Sequence, residues 1–266
     1  MTVQAFLASA TQQLKSAGIA TARLDCLVLL EDELQANRSL LLAHPDQKIA
    51  SLPLLKLNKK IAQRAQHMPL AYIRSKAYFY GRGFFVNHHV LVPRPESEAL
   101  ISLLKKLPLP MQPAIADIGC GSGILGITAT LETEGIAHFY DIDRQALAVA
   151  KRNARAFGLR GQYYQQNLLE HSWGTYDVVL ANLPYVPDAY HINNAARHEP
   201  KIALFAGGDG MDLYRQFWQD IAANKPLHVI TESFPFQHTE NQTLAQKAGY
   251  SLQAADGFAQ CFSAKA

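Results

Sequence analysis

Three short stretches hold the residues best suited to chemistry: DIGCGSGILG at 117 to 126, HFYDID at 138 to 143, and NLPY at 182 to 185, one residue after the apolar run DVVL. Gly119, Gly121 and Gly123 allow tight turns and let backbone approach a ligand without an intervening Cβ. Together with Cys120 and Ser122 they form a loop that follows an apolar strand and opens a helix, a setting that suits a nucleoside. Gly121, Gly123 and Gly126 also satisfy G-x-G-x-x-G, so the loop alone leaves both a dinucleotide and S-adenosylmethionine (SAM) open. Asp141 ends the next strand about 20 residues on, where a carboxylate accepts from ribose hydroxyls in either cofactor class. Asp143 is the close competitor for that role, although capping the helix RQALAVAKRNA suits it better. Cys120 has no His or Cys at catalytic or metal spacing and is read as a small packed residue.

Asn and Pro after a strand are ordinary turn residues, and NLPY alone says no more than that. Beside a cofactor loop it gains a use. In a doubly wound sheet, ligands lie beyond the C-terminal strand ends near the point where strand order reverses. The first, second and fourth strands deliver the glycine loop, Asp141 and Asn182 to that edge. These residue types suit methyl transfer to a planar nitrogen, whose delocalised lone pair has to be aimed more than it has to be deprotonated. Asn182 Oδ1 would accept one N–H and the Leu183 carbonyl the other. Tyr185 would stack on the planar target and offer a π face to a sulfonium cation.

The elements that position these residues follow from periodicity. Val3, Phe6, Leu7, Ala10, Leu14 and Ala17 recur at helical spacing, and Gly18 stands where a helix ends. Leu24, Leu27, Val28 and Leu34 repeat the pattern, and residues 57–68 form another amphipathic helix before Pro69. Residues 1–74 are therefore expected as a helical domain. Residues 75–93 hold aromatic and β-branched residues around a GRG turn and are expected as a linking β-hairpin. From 94 to 266, apolar runs alternate with helical patterns, which predicts right-handed βαβ crossovers. The expected class is α/β, a doubly wound, mostly parallel sheet of Rossmann-like type.

Bulk composition excludes several classes. With 266 residues, 48% of them apolar, the chain is long enough for one full core and a smaller second one. A net charge of +3 is a mild basic bias, far from a protein that coats nucleic acid. Three scattered cysteines, Cys26, Cys120 and Cys261, suggest neither disulfides nor zinc. The start lacks a basic n-region, and no apolar run reaches transmembrane length, so a soluble cytoplasmic protein with no membrane partner is expected, and a monomer is expected besides. His88 and His89 would point to opposite faces of a strand, which argues against a shared metal. Arg94 and Glu96 read as a structural ion pair more than as residues facing a substrate channel, and GGDGMD as a turn before a helix more than a ligand loop. The basic residues at 56–64 and 151–160 read as mostly solvated helix faces, a minority of which could meet an acidic ribosomal partner.

NLPY resembles the (N/D)PPY motif of class I SAM-dependent methyltransferases that act on amide or exocyclic amino nitrogens. LVPRPESEALI at 91 to 101, EPKIAL at 199 to 204 and GGDGMDLYR at 207 to 215 narrow the resemblance, and MPLAYI at 68 to 73 extends it. In that order they are similar to the family that methylates N5 of a glutamine in class I peptide chain release factors. The resemblance implies SAM as cofactor, with contacts from Gly119, Cys120, Gly121, Ser122, Gly123, Asp141, Asn167, Leu168 and Asn182. It implies a substrate clamp of Asn182, Leu183, Pro184 and Tyr185, with Asn182, Pro184 and Tyr185 catalytic, and no metal. It implies a release factor as partner, no direct nucleic acid, and the helical domain as substrate reader. Three features depart from the family pattern: Leu183 replaces the first proline, Asn167 stands where Asp is usual, and the stretches ESFPFQHTEN and DGFAQCFSAKA lack the usual acidic-glycine turn and arginine-bearing last strand. A glutamine methyltransferase of a large-subunit ribosomal protein, a nucleic-acid adenine methyltransferase and a non-catalytic SAM-binding module are the alternatives.

Overall fold

A period of two runs through each central strand and sorts its side chains between two helix layers. The computed structural model describes residues 1–169 and 175–265. They form two compact units, Met1–Lys76 with Asn193–His198, and Ala77–Ile192 with Glu199–Ala266.

The smaller unit is helical: α1 (Val3–Ser16), α2 (Ala22–Leu34), α3 (Arg38–Ala43), α4 (Ser51–Ala65) and α5 (Leu70–Arg74). Thr2 caps α1 by accepting from Ala5 N, and Gly18 leaves it in the left-handed region at φ +76. Phe6, Ala10 and Leu14 share one core with Cys26, Leu29, Leu30, Leu57 and Ile61. Two sequence expectations shift. Leu24 is exposed, because the buried stripe of α2 runs through Ala22, Cys26, Leu29 and Leu30. Helix α4 starts at Ser51, before the expected 57, since Pro53 falls in its first turn, where a missing N–H breaks no helical bond. Its basic residues are also more than a solvated face. Lys56 and Lys60 both reach Glu33, and Arg64 Nε donates to Asp25 Oδ2 at 2.6 Å, with Asp25 3% exposed.

The larger unit begins with a hairpin, β1 (Ala77–Phe79) and β2 (Arg82–Phe84). Its turn is Tyr80–Gly81, with φ +50 and +72, and not the GRG triplet: a two-residue turn with both centres left-handed fits the strand twist, and it leaves Arg82 and Gly83 in the ladder. Phe79 and Phe84 are buried in the larger unit's core, so the expected linker 75–93 divides at Lys76 and its hairpin belongs to that unit.

After α6 (Glu98–Leu104), strands and helices alternate: β3 (Ala114–Ile118), α7 (Ile124–Thr133), β4 (Ile136–Asp141), α8 (Arg144–Ala156), β5 (Gln162–Gln165), β6 (Val178–Ala181), α9 (Asp212–Asn224), β7 (His228–Glu232) and α10 (His238–Lys247). The hairpin β8 (Tyr250–Asp256) and β9 (Ala259–Ala264) completes the sheet in the order β5-β4-β3-β6-β7-β9-β8. Strands β3 to β7 pair in parallel and β9 runs antiparallel to its neighbours. One face carries Ile115, Phe139, Leu180 and Ile230 against α6, α7 and α8. The other carries Ile118, Tyr140, Val179 and Val229 against Tyr214, Phe217 and Trp218 of α9. Strand β8 was not legible in the sequence: it is an edge strand, largely exposed and poor in β-branched residues. Among the described residues, no helix is long and apolar enough to cross a membrane.

The Arg64–Asp25 pair gives a direct test of the helical unit. Removing one partner of a buried pair strands the other charge, so Arg64→Ala should cost about 3 kcal/mol in urea unfolding. A loss below about 0.5 kcal/mol, the range of exposed pairs, would contradict the burial argument.

Candidate active site

The ladder brings the sequence motifs to one line. Tyr140, Ile118, Ala181 and Thr231 are cross-strand partners on β4, β3, β6 and β7. The next residue on each chain is therefore Asp141, Gly119, Asn182 and Glu232, all at the C-terminal edge of the parallel strands. Strand order reverses between β3 and β6, and a parallel sheet opens a ligand crevice there.

A cavity occupies that crevice, lined by Gly119, Cys120, Gly121, Ser122, Asp141, Asn167, Leu168, Asn182, Leu183 and Pro184 among others. Gly123 and Tyr185 do not line it. Gly121, left-handed at φ +52, points its N–H at Asp141 Oδ2, 2.9 Å away. Asp141 Oδ1 accepts from Asp143 N at 2.9 Å, so the carboxylate is fixed on both oxygens. Burial raises the Asp141 pKa, and these backbone bonds oppose the rise. Asp143 Oδ1 caps α8 by accepting from Gln145 N at 2.7 Å, the capping role its position suggested. Cys120 is buried, with its thiol pKa raised by that burial. Asp117, beneath the loop, accepts from Gly126 N, and burial pushes its pKa up to about 7. Leu168 adopts φ +47, a region that costs a branched side chain energy and that clusters at functional sites.

At the start of the NLPY turn, Asn182 Nδ2 donates to Ser97 Oγ at 3.0 Å, which leaves Oδ1 as its acceptor. Leu183 is buried and its side chain lies against Gly119, where a Cβ would stand 3.1 Å from Cδ2. The Tyr185 hydroxyl donates to Glu232 Oε1 at 2.9 Å, and its ring meets Phe234 edge-on at 5.0 Å. The turn is also gripped by its backbone. Gln237 Nε2 donates to both Tyr185 O and Asp209 O, each at 2.8 Å. Gly210, at φ +78, passes so close that a Cβ would stand 2.1 Å from Tyr185 O. GGDGMD is thus the expected turn before a helix, and it also backs the NLPY loop.

Sequence reading missed Ser97, Glu199, Glu232 and Gln237. An acid at a strand end was the available signal for Glu232, the same signal that marked Asp141. Arg94 pairs with buried Glu199 at 2.7 Å and not with Glu96, which is exposed; Glu199 also accepts from Val92 N. His88 and His89 lie in a turn and not a strand, with ring centroids 4.0 Å apart. Among the described residues, no group of three or more His, Cys, Asp or Glu could hold a metal.

The sheet order, the glycine loop and the acidic strand end define a class I methyltransferase fold. Residues 95–208 match the methyltransferase small domain, and residues 5–74 match the PrmC N-terminal domain. A release factor glutamine methyltransferase of Bacillus cereus is 36% identical over 73% of this chain and 72% of its own length. Another of that name, from Deinococcus radiodurans, is 31% identical over 84% of this chain and 82% of its own. The chain belongs to the release factor glutamine methyltransferase family. In the solved structure of a T. thermophilus 16S rRNA methyltransferase in complex with AdoMet and guanosine, the fold is shared at a TM-score of 0.53, with 17% identity over 72% of this chain and 50% of that one.

The close pass at Gly210 supplies a test. Gly210→Ala should cost about 2 kcal/mol or more and loosen the NLPY turn, because a left-handed residue is substituted against fixed backbone. Gly208→Ala is the control, since a Cβ there meets nothing within 4 Å. Equal unfolding midpoints for the two variants would contradict the clamp.

Proposed function

We propose that this protein transfers a methyl group from SAM to N5 of a glutamine side chain in a peptide chain release factor, acting as a cytoplasmic monomer. The observation that carries the reading is the single row of Asp141, Gly119 and Asn182 along one cavity. The residues present fit the cofactor. Asp141 presents its carboxylate to the cavity where ribose hydroxyls would lie, Gly119 and Gly121 let backbone approach a ligand closely, and Ile142, Leu168 and Ala146 offer apolar wall to a base.

Bound SAM supplies an electrophilic methyl group on a sulfonium. The protein's own part is orientation. Asn182 Oδ1 and the Leu183 carbonyl accept the two N–H bonds of the glutamine amide, which turns its lone pair toward the cofactor side of the cavity. Leu183 keeps that carbonyl although it lacks the ring of the usual proline. Pro184 stiffens the turn. Tyr185 acts from beneath, since its hydroxyl is committed to Glu232 and it stands off the cavity wall. The helical unit, which carries none of the cofactor or clamp residues, is assigned to reading the protein substrate.

Calorimetry should find SAM binding and no NAD binding. Asp141→Ala should weaken SAM by about 1.5 to 3 kcal/mol, the range for hydrogen bonds to a charged group. NAD affinity without SAM affinity would overturn the cofactor assignment. Labelled methyl transfer compared across release factor, large-subunit ribosomal protein and DNA should favour the release factor. A chain starting at Ala77 should keep SAM affinity and lose that protein methylation. Preferential labelling of ribosomal protein or DNA would refute the substrate, and full activity of the shortened chain would refute the role of the helical unit.

A further inference from the structure

Glu232 ends β7 one register step from Asn182 and is 1% exposed. A buried carboxyl at a strand end is costly, and an apolar residue of similar size would stabilise the strand better. Its Oε1 accepts from the Tyr185 hydroxyl. Its Oε2 is buried without a hydrogen-bond partner of ordinary geometry among the described residues, as is the neighbouring Ser233 Oγ. Burial raises the pKa of this carboxyl, and hydrogen bonds from the side chains of Ser97, Tyr185 and Asn182 oppose the rise. Besides the direct contact of Asn182 with the carboxyl, Ser97, itself 1% exposed, is a second link, since its Oγ accepts from Asn182 Nδ2 at 3.0 Å.

A hydroxyl that accepts one bond still has a proton to place. If that proton goes to the Glu232 carboxylate, the chain runs Asn182 Nδ2–H to Ser97 O–H to Glu232, and the Asn182 amide has one orientation, Oδ1 outward. Without the carboxylate as acceptor, Ser97 is free to donate to Asn182 Oδ1 instead. The amide then flips and presents a donor where the substrate N–H needs an acceptor.

We propose that Glu232 is a positioning residue for methyl transfer, setting the direction of the Asn182 amide through Ser97 and holding Tyr185 by its hydroxyl. This rests on the reading that Asn182 Oδ1 receives the substrate amide. The distinction from mere filling of space lies in Glu232→Gln. Glutamine has nearly the same shape, yet one of its two terminal atoms is a donor, so it cannot accept from Tyr185 on one terminal atom and from Ser97 on the other.

The test is steady-state methylation of release factor by wild type, Glu232→Gln, Ser97→Ala and the double variant, with SAM Kd from calorimetry. Each single variant should lose about tenfold or more in kcat, with KM and Kd changed less than about threefold, the split expected when orientation alone is lost. The double variant should be no worse than the poorer single, since the two residues act in one chain. A Glu232→Gln enzyme within about threefold of wild-type kcat, or losses that multiply in the double variant, would overturn the proposal. A wild type that fails to methylate release factor would sink the substrate reading instead, whatever the variants do.

Discussion

The register of four parallel strands is the constraint on which the site depends. Because Tyr140, Ile118, Ala181 and Thr231 are level across β4, β3, β6 and β7, the residues that follow them leave the sheet at one height. A shift of one residue in any pairing would turn that strand's apolar set to the wrong helix layer, so the two cores enforce the alignment. Core packing therefore sets the geometry of the chemistry. Asp141, Gly119, Asn182 and Glu232 are aligned by Phe139, Leu180 and Ile230 on one face and by Val179, Val229 and Phe217 on the other.

What the register places, local bonds make rigid. Asp141 is held through backbone N–H groups of its own turn and of the glycine loop. The NLPY turn is held from farther away in sequence. Gln237 and Gly210 close on its backbone, Tyr214 bonds the carbonyls of Ala181 and Glu232, and Ser97 and Glu232 take its side chains. On the proposed reading, in which this turn aims a neutral amide, such support matters because a small misplacement forfeits much of the orientation effect. Leu183 in place of a proline is tolerable in this light. Its backbone is fixed by neighbours, and its side chain fills the space beside Gly119.

Features written in contiguous residues were legible. The strand–glycine–helix order of 114 to 133 and the capping aspartate at 143 needed only local rules, and both appear where the sequence put them. Features that depend on pairing were not. Tyr185 reads as a stacking face because its sequence neighbours say nothing of Glu232, which lies 47 residues on and meets it only through the β6–β7 ladder. Arg94 reads as the partner of Glu96 because they are close in the chain, while the fold gives it Glu199. Edge strand β8 escaped because half-exposed positions with little β-branching resemble a loop.

If Asn182 aims the acceptor amide and the cofactor is anchored elsewhere, single-turnover methyl transfer at saturating SAM should separate wild type, Asn182→Ala and Asn182→Asp. The rate should collapse for Ala with SAM affinity nearly unchanged, and fall less for Asp, which keeps an acceptor oxygen. An Asn182→Ala enzyme turning over at close to the wild-type rate would contradict that role, and NLPY would then be a turn and nothing more.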